Sequence, residues 1–258
     1  EGGENANGDG DGENIGRSGG GAYGCFLSNC SLTGNTATYG GGAYESTLIN
    51  CTLSRNTAYY GGGTCGCFLS NCTLTGNSAE FGGGARGGTL DNCTVTGNST
   101  TNAGGGVIGC DAYNCIVWEN FAPEDANHRD SWFSYSCTSP LPVEGDGNIS
   151  DDPRLVDAAN GDCRLRVGSP CIDSGDNEFV APENETDLAG NPRISNGTVD
   201  MGAYEGGIDG FVISGRIQGK GLLSPMTTVV LPGGSTTFTT TETYGPFRHF
   251  EIDGVVVS

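Results

Sequence analysis

Glycine triplets begin at Gly19, Gly40, Gly61, Gly82 and Gly104, at intervals of 21 residues three times and then 22. An Asn-Cys pair follows each triplet, at Asn29, Asn50, Asn71, Asn92 and Asn114. A second asparagine comes six residues later, at Asn35, Asn56, Asn77, Asn98 and Asn120. One copy of such a repeat cannot bury an apolar face by itself, whereas stacked copies can, so the period decides the architecture. Each copy offers two short strand-compatible stretches and no helical period. One apolar ladder runs Leu27, Leu48, Leu69, Leu90 and Ala112, and another runs Leu32, Leu53, Leu74, Val95 and Val117. The expectation is a parallel β-helix with one coil per repeat and rungs about 4.8 Å apart. Asparagine suits the bends, because it tolerates left-handed backbone and can hydrogen-bond the next coil.

Twelve cysteines would ordinarily read as a disulfide framework. Five of them, Cys30, Cys51, Cys72, Cys93 and Cys115, stand two residues before the second ladder and share its face by strand alternation. Stacked in-register neighbours have near-parallel Cβ vectors, a poor geometry for bridging, so we expect buried free thiols packed as small hydrophobes. A serine at Cys72 should then cost about 1–3 kcal/mol, for want of partners for a buried hydroxyl. Cys25, Cys67 and Cys110 share a register on alternate rungs, too far apart to pair. Cys163 and Cys171 are the best candidates for a bridge, and Cys65 has no assigned role. No CxxC pair or Cys/His grouping points to zinc.

The net charge of −20, from 31 acidic and 11 basic residues, argues against nucleic acid or an anionic membrane as partner. No apolar run is long enough to span a bilayer. The chain opens on Glu1, and Asn14 lies one period before Asn35, so we expect it to start inside a longer protein. Four regions are expected: residues 1–15, an acidic Gly-rich segment or degenerate rung; 16–122, regular coils; 123–206, a loop to about 150, irregular coils and a closing motif; and 207–258, a small antiparallel β module. In the first, Asp9, Asp11 and Glu13 alternate like the opening ligands of a calcium loop, but Gly20 stands where such a loop needs its bidentate glutamate.

The stretch Asn114-Cys115-Ile116-Val117-Trp118-Glu119-Asn120 resembles the last regular coil of secreted bacterial right-handed β-helix proteins. Tyr135-Ser136-Cys137-Thr138, Gly147-Asn148-Ile149, Asp152-Pro153-Arg154-Leu155-Val156-Asp157 and Gly161-Asp162-Cys163-Arg164-Leu165 continue the likeness. Gly168-Ser169-Pro170-Cys171-Ile172-Asp173-Ser174-Gly175 and Asp187-Leu188-Ala189-Gly190-Asn191-Pro192-Arg193 lead to a close on Val199-Asp200-Met201-Gly202-Ala203-Tyr204-Glu205. This order resembles the C-terminal region of choice-of-anchor Q domain proteins, over about residues 19–206. The glycine-triplet coils are also similar to those of chlamydial polymorphic outer-membrane proteins. Residues 207–258, with Thr and Val runs such as Thr228-Val229-Val230-Leu231, resemble small β-repeat modules of bacterial surface proteins. The resemblance implies a right-handed coil and an extracellular or bacterial cell-surface location. It implies no activity, and no disulfide at Cys163 and Cys171, where members vary.

Candidate chemistry follows from three patterns. Tyr23, Tyr39, Tyr44, Tyr59, Tyr60 and Phe81 flank the glycine triplets and could stack on sugars; the plainer reading is stacking between rungs. Asp173, Asp176, Asp187, Asp200 and Glu205 are the carboxylates for a glycosidase or lyase, since glycoside cleavage needs two about 5–10 Å apart. Their plainer role is to hold turns and pair with Arg193. No lysine precedes Lys220, and few arginines occur in the coils, against a site for anionic polysaccharide. Ser31/Thr33, Thr52/Ser54, Thr73/Thr75 and Thr94/Thr96 form an outward hydroxyl ladder resembling ice-binding solenoids, or simply exposed β-formers. The sequons at Asn29, Asn50, Asn71 and Asn92 read as by-products of inward-facing turn asparagines. His128 and His249 stand alone. The expected function is a non-catalytic surface solenoid for adhesion, spacing or contact with glycans or other surface proteins. The rival is a carbohydrate-active enzyme. No cofactor is expected unless calcium binds near Asp9.

Overall fold

The computed structural model describes residues 18–180 and 186–208, and beyond them the strands Phe211–Ile217, Leu222–Ser224, Thr227–Val230, Thr239–Thr241, Phe247–Ile252 and Val255–Val257. Asp9, Asp11, Glu13 and Lys220 lie outside the described residues. The chain forms a right-handed parallel β-helix of about six turns. A small antiparallel sheet follows, in which Phe211–Ile217 lies between Thr227–Val230 and Phe247–Ile252.

Each regular coil has three faces, one more than the sequence pattern discloses, and in the first two coils the first-face strand is split in two. In the third coil the strands are Thr64–Ser70 on the first face, Thr73–Thr75 on the second and Ser78–Phe81 on the third. The third-face strands escape pattern reading because their core residues are small: Ala58 and Ala79 point inward where the other faces present leucine. Both apolar ladders are in register. Leu48, Leu69 and Leu90 are Cα partners on the first face, and Leu53, Leu74 and Val95 on the second.

Single left-handed residues turn the corners. Asn50, Asn71, Asn92 and Asn114 have φ of 50–52° between the first and second faces. Glycine leads the triplet corner, where a side chain would also collide with the neighbouring coil. A Cβ on Gly42 would lie 2.7 Å from the Gly63 carbonyl and 2.9 Å from Leu53 Cδ2.

The second asparagine of each copy builds a buried ladder. The Asn56 main-chain N–H and its Nδ2 donate to Asn77 Oδ1 at 2.9 and 3.0 Å, while Asn77 Nδ2 donates to the Leu53 carbonyl and to Asn98 Oδ1. The thiol column works in the same way rather than as a passive hydrophobic filler. The main-chain N–H of Cys51 meets Cys72 Sγ at 3.4 Å, and Cys72 Sγ donates to the Ser70 carbonyl at 3.2 Å. Cys51, Cys72, Cys93 and Cys115 are fully buried, whereas Cys30, on the first described rung, is only half-buried.

The repeat does not lapse at residue 123. His128–Arg129, Trp132–Ser134 and Cys137–Thr138 add a sixth rung in register. Phe133 takes the leucine position, Tyr135 the left-handed corner with φ 49°, and Asn127 receives the Asn120 main-chain N–H. Ser136 replaces the ladder cysteine, accepting from the Cys115 N–H at 2.9 Å and donating to the Ser134 carbonyl at 2.9 Å. Residues 144–151 then cover that corner, with Asn148 Oδ1 accepting from the Ser136 N–H.

The closing motif departs further from expectation. Instead of stacking as irregular rungs, it runs back along the solenoid and covers the second face. Gly202 N–H donates to the Asn114 carbonyl, Ala203 N–H to Thr94 Oγ1, Asn92 Nδ2 to the Phe179 carbonyl and Asn71 Nδ2 to the Thr186 carbonyl. The sequon asparagines therefore face outward, into this segment, while Asn29 is exposed and Asn50 half-buried. Cys163 and Cys171 are free thiols and form no bridge; Cys171 packs instead against the Cys137 thiol, in an apolar cluster with Ile116, Leu165 and Met201.

Three outcomes follow. Asn77→Ala removes hydrogen bonds from buried groups that have no water to turn to, and should lower unfolding free energy in urea by about 3–5 kcal/mol. Cys72→Ser should cost under about 1 kcal/mol, because Ser136 already makes both bonds at that register. Alkylation read by mass spectrometry should label only Cys25 and Cys30 in the native chain and the buried cysteines only after denaturation.

Candidate functional site

The glycine triplet brings the end of each third-face strand close to the start of the next first-face strand. On the third face, Tyr39, Tyr60 and Phe81 stand in register; on the first face, Tyr23 lies over Tyr44. Parallel in-register strands hold like positions one rung apart, so aromatic rings at successive rungs stack. Ring centroids are 5.2 Å apart for Tyr39 and Tyr60, 5.6 Å for Tyr60 and Phe81, and 5.4 Å for Tyr23 and Tyr44. Tyr39 and Tyr44, 5.7 Å apart, join the two columns across the triplet. Tyr59 meets Tyr60 edge-on at 4.6 Å, and the Arg86 guanidinium lies 4.6 Å from the Tyr60 ring centre.

The result is a continuous aromatic ridge that is stacked between rungs and also open to solvent. Tyr23 is 54% exposed and Tyr59 45%, while Tyr44 and Tyr60 are half-buried. All five tyrosines singled out from the sequence, and Phe81 with them, thus lie in one ridge. Beside it, Phe26 and Phe68 project from the first face and are 68% and 36% exposed. They escaped the sequence reading, although both sit in the duplicated Cys-Phe-Leu-Ser-Asn-Cys motif, two periods apart. Strand alternation from the inward ladder of Leu27, which is partly buried, and Leu69, which is fully buried, would have placed them outside. The Glu45 hydrogen bond pushes the Tyr44 phenol up to about 12, and Glu80 beside Tyr59 raises that phenol too. Both hydroxyls therefore remain protonated donors at ordinary pH.

The carboxylates of the closing motif have a different setting. Asp187 and Asp200 are almost fully buried. Asp187 Oδ1 accepts from the Ala189 and Asn191 main-chain N–H groups, and its Oδ2 accepts from Glu205 N–H at 2.8 Å. Asp200 Oδ1 accepts from Asp173 N–H at 2.7 Å and its Oδ2 from Gly206 N–H at 2.6 Å. Asp173 is exposed at a left-handed corner, and Asp176 caps the short turn Asn177–Phe179 through Glu178 N–H. The Arg193 side chain is buried among them. Its Nη2 donates to the carbonyls of Asp200 and Gly202 and to Asn92 Oδ1, and its Nη1 lies 3.7 Å from Glu205 Oε1. This knot ties the segment to the solenoid.

The hydroxyl ladder is open only at its start. Ser31 and Thr33 are exposed, but Thr73, Thr94 and Thr96 are buried, with Gly202 and Ala203 packed on Thr94. A regular hydroxyl array for ice is therefore not presented across these rungs. Among the described residues, no group of three or more His, Cys, Asp and Glu side chains is arranged to hold a metal ion, and no helix is long and apolar enough to cross a membrane.

Two grooves open near the end of the coils. One, of about 720 Å³, lies beside Trp132; the other, of about 360 Å³, lies between Trp118 and the hairpin that joins Leu155–Asp157 to Asp162–Arg166. No protein-family model matches the chain, and no curated protein sequence matches it.

The knot should respond to pH. Burial pushes Glu205 up to about 7 and also raises Asp200, against the lowering influence of Arg193. A carboxyl group raised in the folded state favours folding most when protonated. That contribution is complete below about pH 4.5 and is lost as pH rises through about 7. Thermal unfolding should therefore show lower stability at pH 8 than at pH 5, by up to about 3 kcal/mol from this group. Glu205→Gln should flatten that dependence.

Proposed function

We propose that this chain is a structural, adhesive β-solenoid whose aromatic ridge contacts glycans. The observation that carries the reading is the stacked and solvent-open row of Tyr23, Tyr44, Tyr39, Tyr60, Tyr59 and Phe81. Sugar rings present flat C–H faces, and tyrosine offers an apolar plane with a hydroxyl at its edge. An exposed ridge of this kind on a rigid flank is a recognition surface rather than an accident of packing. With a net charge of −20, neutral glycans are favoured over anionic ones.

An extracellular or bacterial cell-surface location is part of the proposal. It is supported by the resemblance of the closing motif to choice-of-anchor Q domain proteins and of residues 207–258 to surface β-repeat modules. The buried carboxylates of the closing motif support a non-catalytic role. Asp187 and Asp200 spend their oxygens on backbone N–H groups, and neither is open to a substrate.

The test pairs a glycan array with a reducing-end release assay on soluble polysaccharides. Neutral glycans should bind without turnover. The double variant Tyr23→Ala/Tyr44→Ala should weaken binding about tenfold or more, since each aromatic contact contributes about 0.5–1.5 kcal/mol. An unchanged melting temperature would show that the fold is intact. Binding indifferent to these substitutions, or release of reducing ends, would defeat the proposal.

A further inference from the structure

The groove at the sixth rung combines features that the ridge lacks. Trp132 is the Cα partner of Asp111 on the rung before it, so the two side chains stand on the same outer face about 4.8 Å apart in the stack. The indole is 42% exposed and Asp111 is exposed. The following loop contributes Pro142, Val143 and Glu144 to the lining, with Val143 fully exposed. The volume of about 720 Å³ lies within the range of small-ligand sites.

The charge of the lining is one-sided. Asp111, Asp125, Asp130 and Glu144 face a single cation, Arg129. That guanidinium is already shared, at 3.8 Å from Asp125, 3.6 Å from Asp130 and 4.0 Å from Glu124 outside the lining. The His128 ring is engaged by the Pro140 carbonyl at 2.9 Å and packs edge-on against Phe133. Among the described residues, the Asp111 and Glu144 carboxylates have neither an ion pair nor a hydrogen bond. Carboxylates only accept, so a fitting ligand must bring donors and positive charge. An indole face attracts both an ammonium group and an apolar ring face.

We infer that this groove binds glycans carrying free amino groups, with a glucosamine-type ring stacked on Trp132 and its ammonium group paired with Asp111. The open indole face of Trp132 favours a stacked ring over a single extended aliphatic side chain, which separates this ligand from a lysine-rich peptide. The inference does not rest on the ridge: Tyr23→Ala/Tyr44→Ala should leave binding here intact.

Trp118 and Trp132 are the two tryptophans of the chain, so Trp118→Phe leaves Trp132 as the sole tryptophan reporter, read with excitation that tyrosine does not absorb. A glucosamine trimer titrated into this variant should change Trp132 emission saturably. Calorimetry on the unsubstituted chain should give the same Kd. The N-acetylated trimer should bind at least tenfold more weakly, and Asp111→Asn should weaken the glucosamine trimer at least fivefold while leaving the melting temperature unchanged. Raised salt should weaken it further. Silence toward the glucosamine trimer in calorimetry, equal affinity for the acetylated trimer, or indifference to Asp111→Asn would overturn the proposal. So would trilysine binding more tightly than the glucosamine trimer, which would make the groove a site for cationic peptide.

Discussion

The structure depends on each coil satisfying its backbone on the next. Parallel strands do this along their length, and parts of the corners do too, as Asn50 N–H does with the Ser70 carbonyl and Gly41 N–H with the Gly61 carbonyl, but the N–H that follows a left-handed corner residue such as Asn50 or Arg55 meets a side chain instead. Two side-chain columns close the gap. The asparagine column accepts the main-chain N–H of the preceding coil and donates to a carbonyl, as Asn98 does with Asn77 N–H and the Leu74 carbonyl. The thiol column does the same at the neighbouring corner, as Cys93 does with Cys72 N–H and the Asp91 carbonyl. Burying these groups unpaired would cost more than the coil gains from its small apolar core, so the polar ladders are as necessary as the leucine ladders.

This device explains why residue identity can drift while the coil persists. Ser46 stands in register with Cys67 and does its work, accepting from Cys25 N–H and donating to the Tyr44 carbonyl. Ser131 does likewise above Cys110. What the corner requires is a short side chain able to accept and donate at once, and both hydroxyl and thiol qualify. In the column Cys51–Cys115, the hydrogen bond with the Cys72 thiol and then burial raise Cys51, and burial raises Cys93. Those two thiols are therefore kept neutral and inert.

The closing segment gives the solenoid two unlike flanks. It covers the second face and spends its charged groups on anchoring, with Arg193 buried beneath Asp187, Asp200 and Glu205. Such a buried group is costly to strip of its partners and so holds the segment in one position. The first face stays open from the aromatic ridge to the groove at Trp132. Parallel in-register strands make that face flat and repetitive, and its side chains project at fixed spacing. Recognition of an extended, repetitive partner is what this geometry suits.

The coil, its two leucine ladders and the inward thiols were legible in the sequence, because a 21-residue period carries side-chain register with it. The five ridge tyrosines were legible for the same reason. Three things were not. The third strand was hidden because alanine at its core positions leaves no apolar signal. The sixth rung was hidden because Tyr135, Ser136 and Phe133 replace asparagine, cysteine and leucine while keeping the backbone angle, the hydrogen bonding and an apolar side chain in the core. The path of the closing segment was decided only by tertiary structure. Its anchors join residues far apart in the chain, such as Ala203 to Thr94 and Arg193 to Asn92, and no periodicity relates them. The groove beside Trp132 is likewise made by a loop folding against a rung, so its acidic lining exists in space and not in the order of residues.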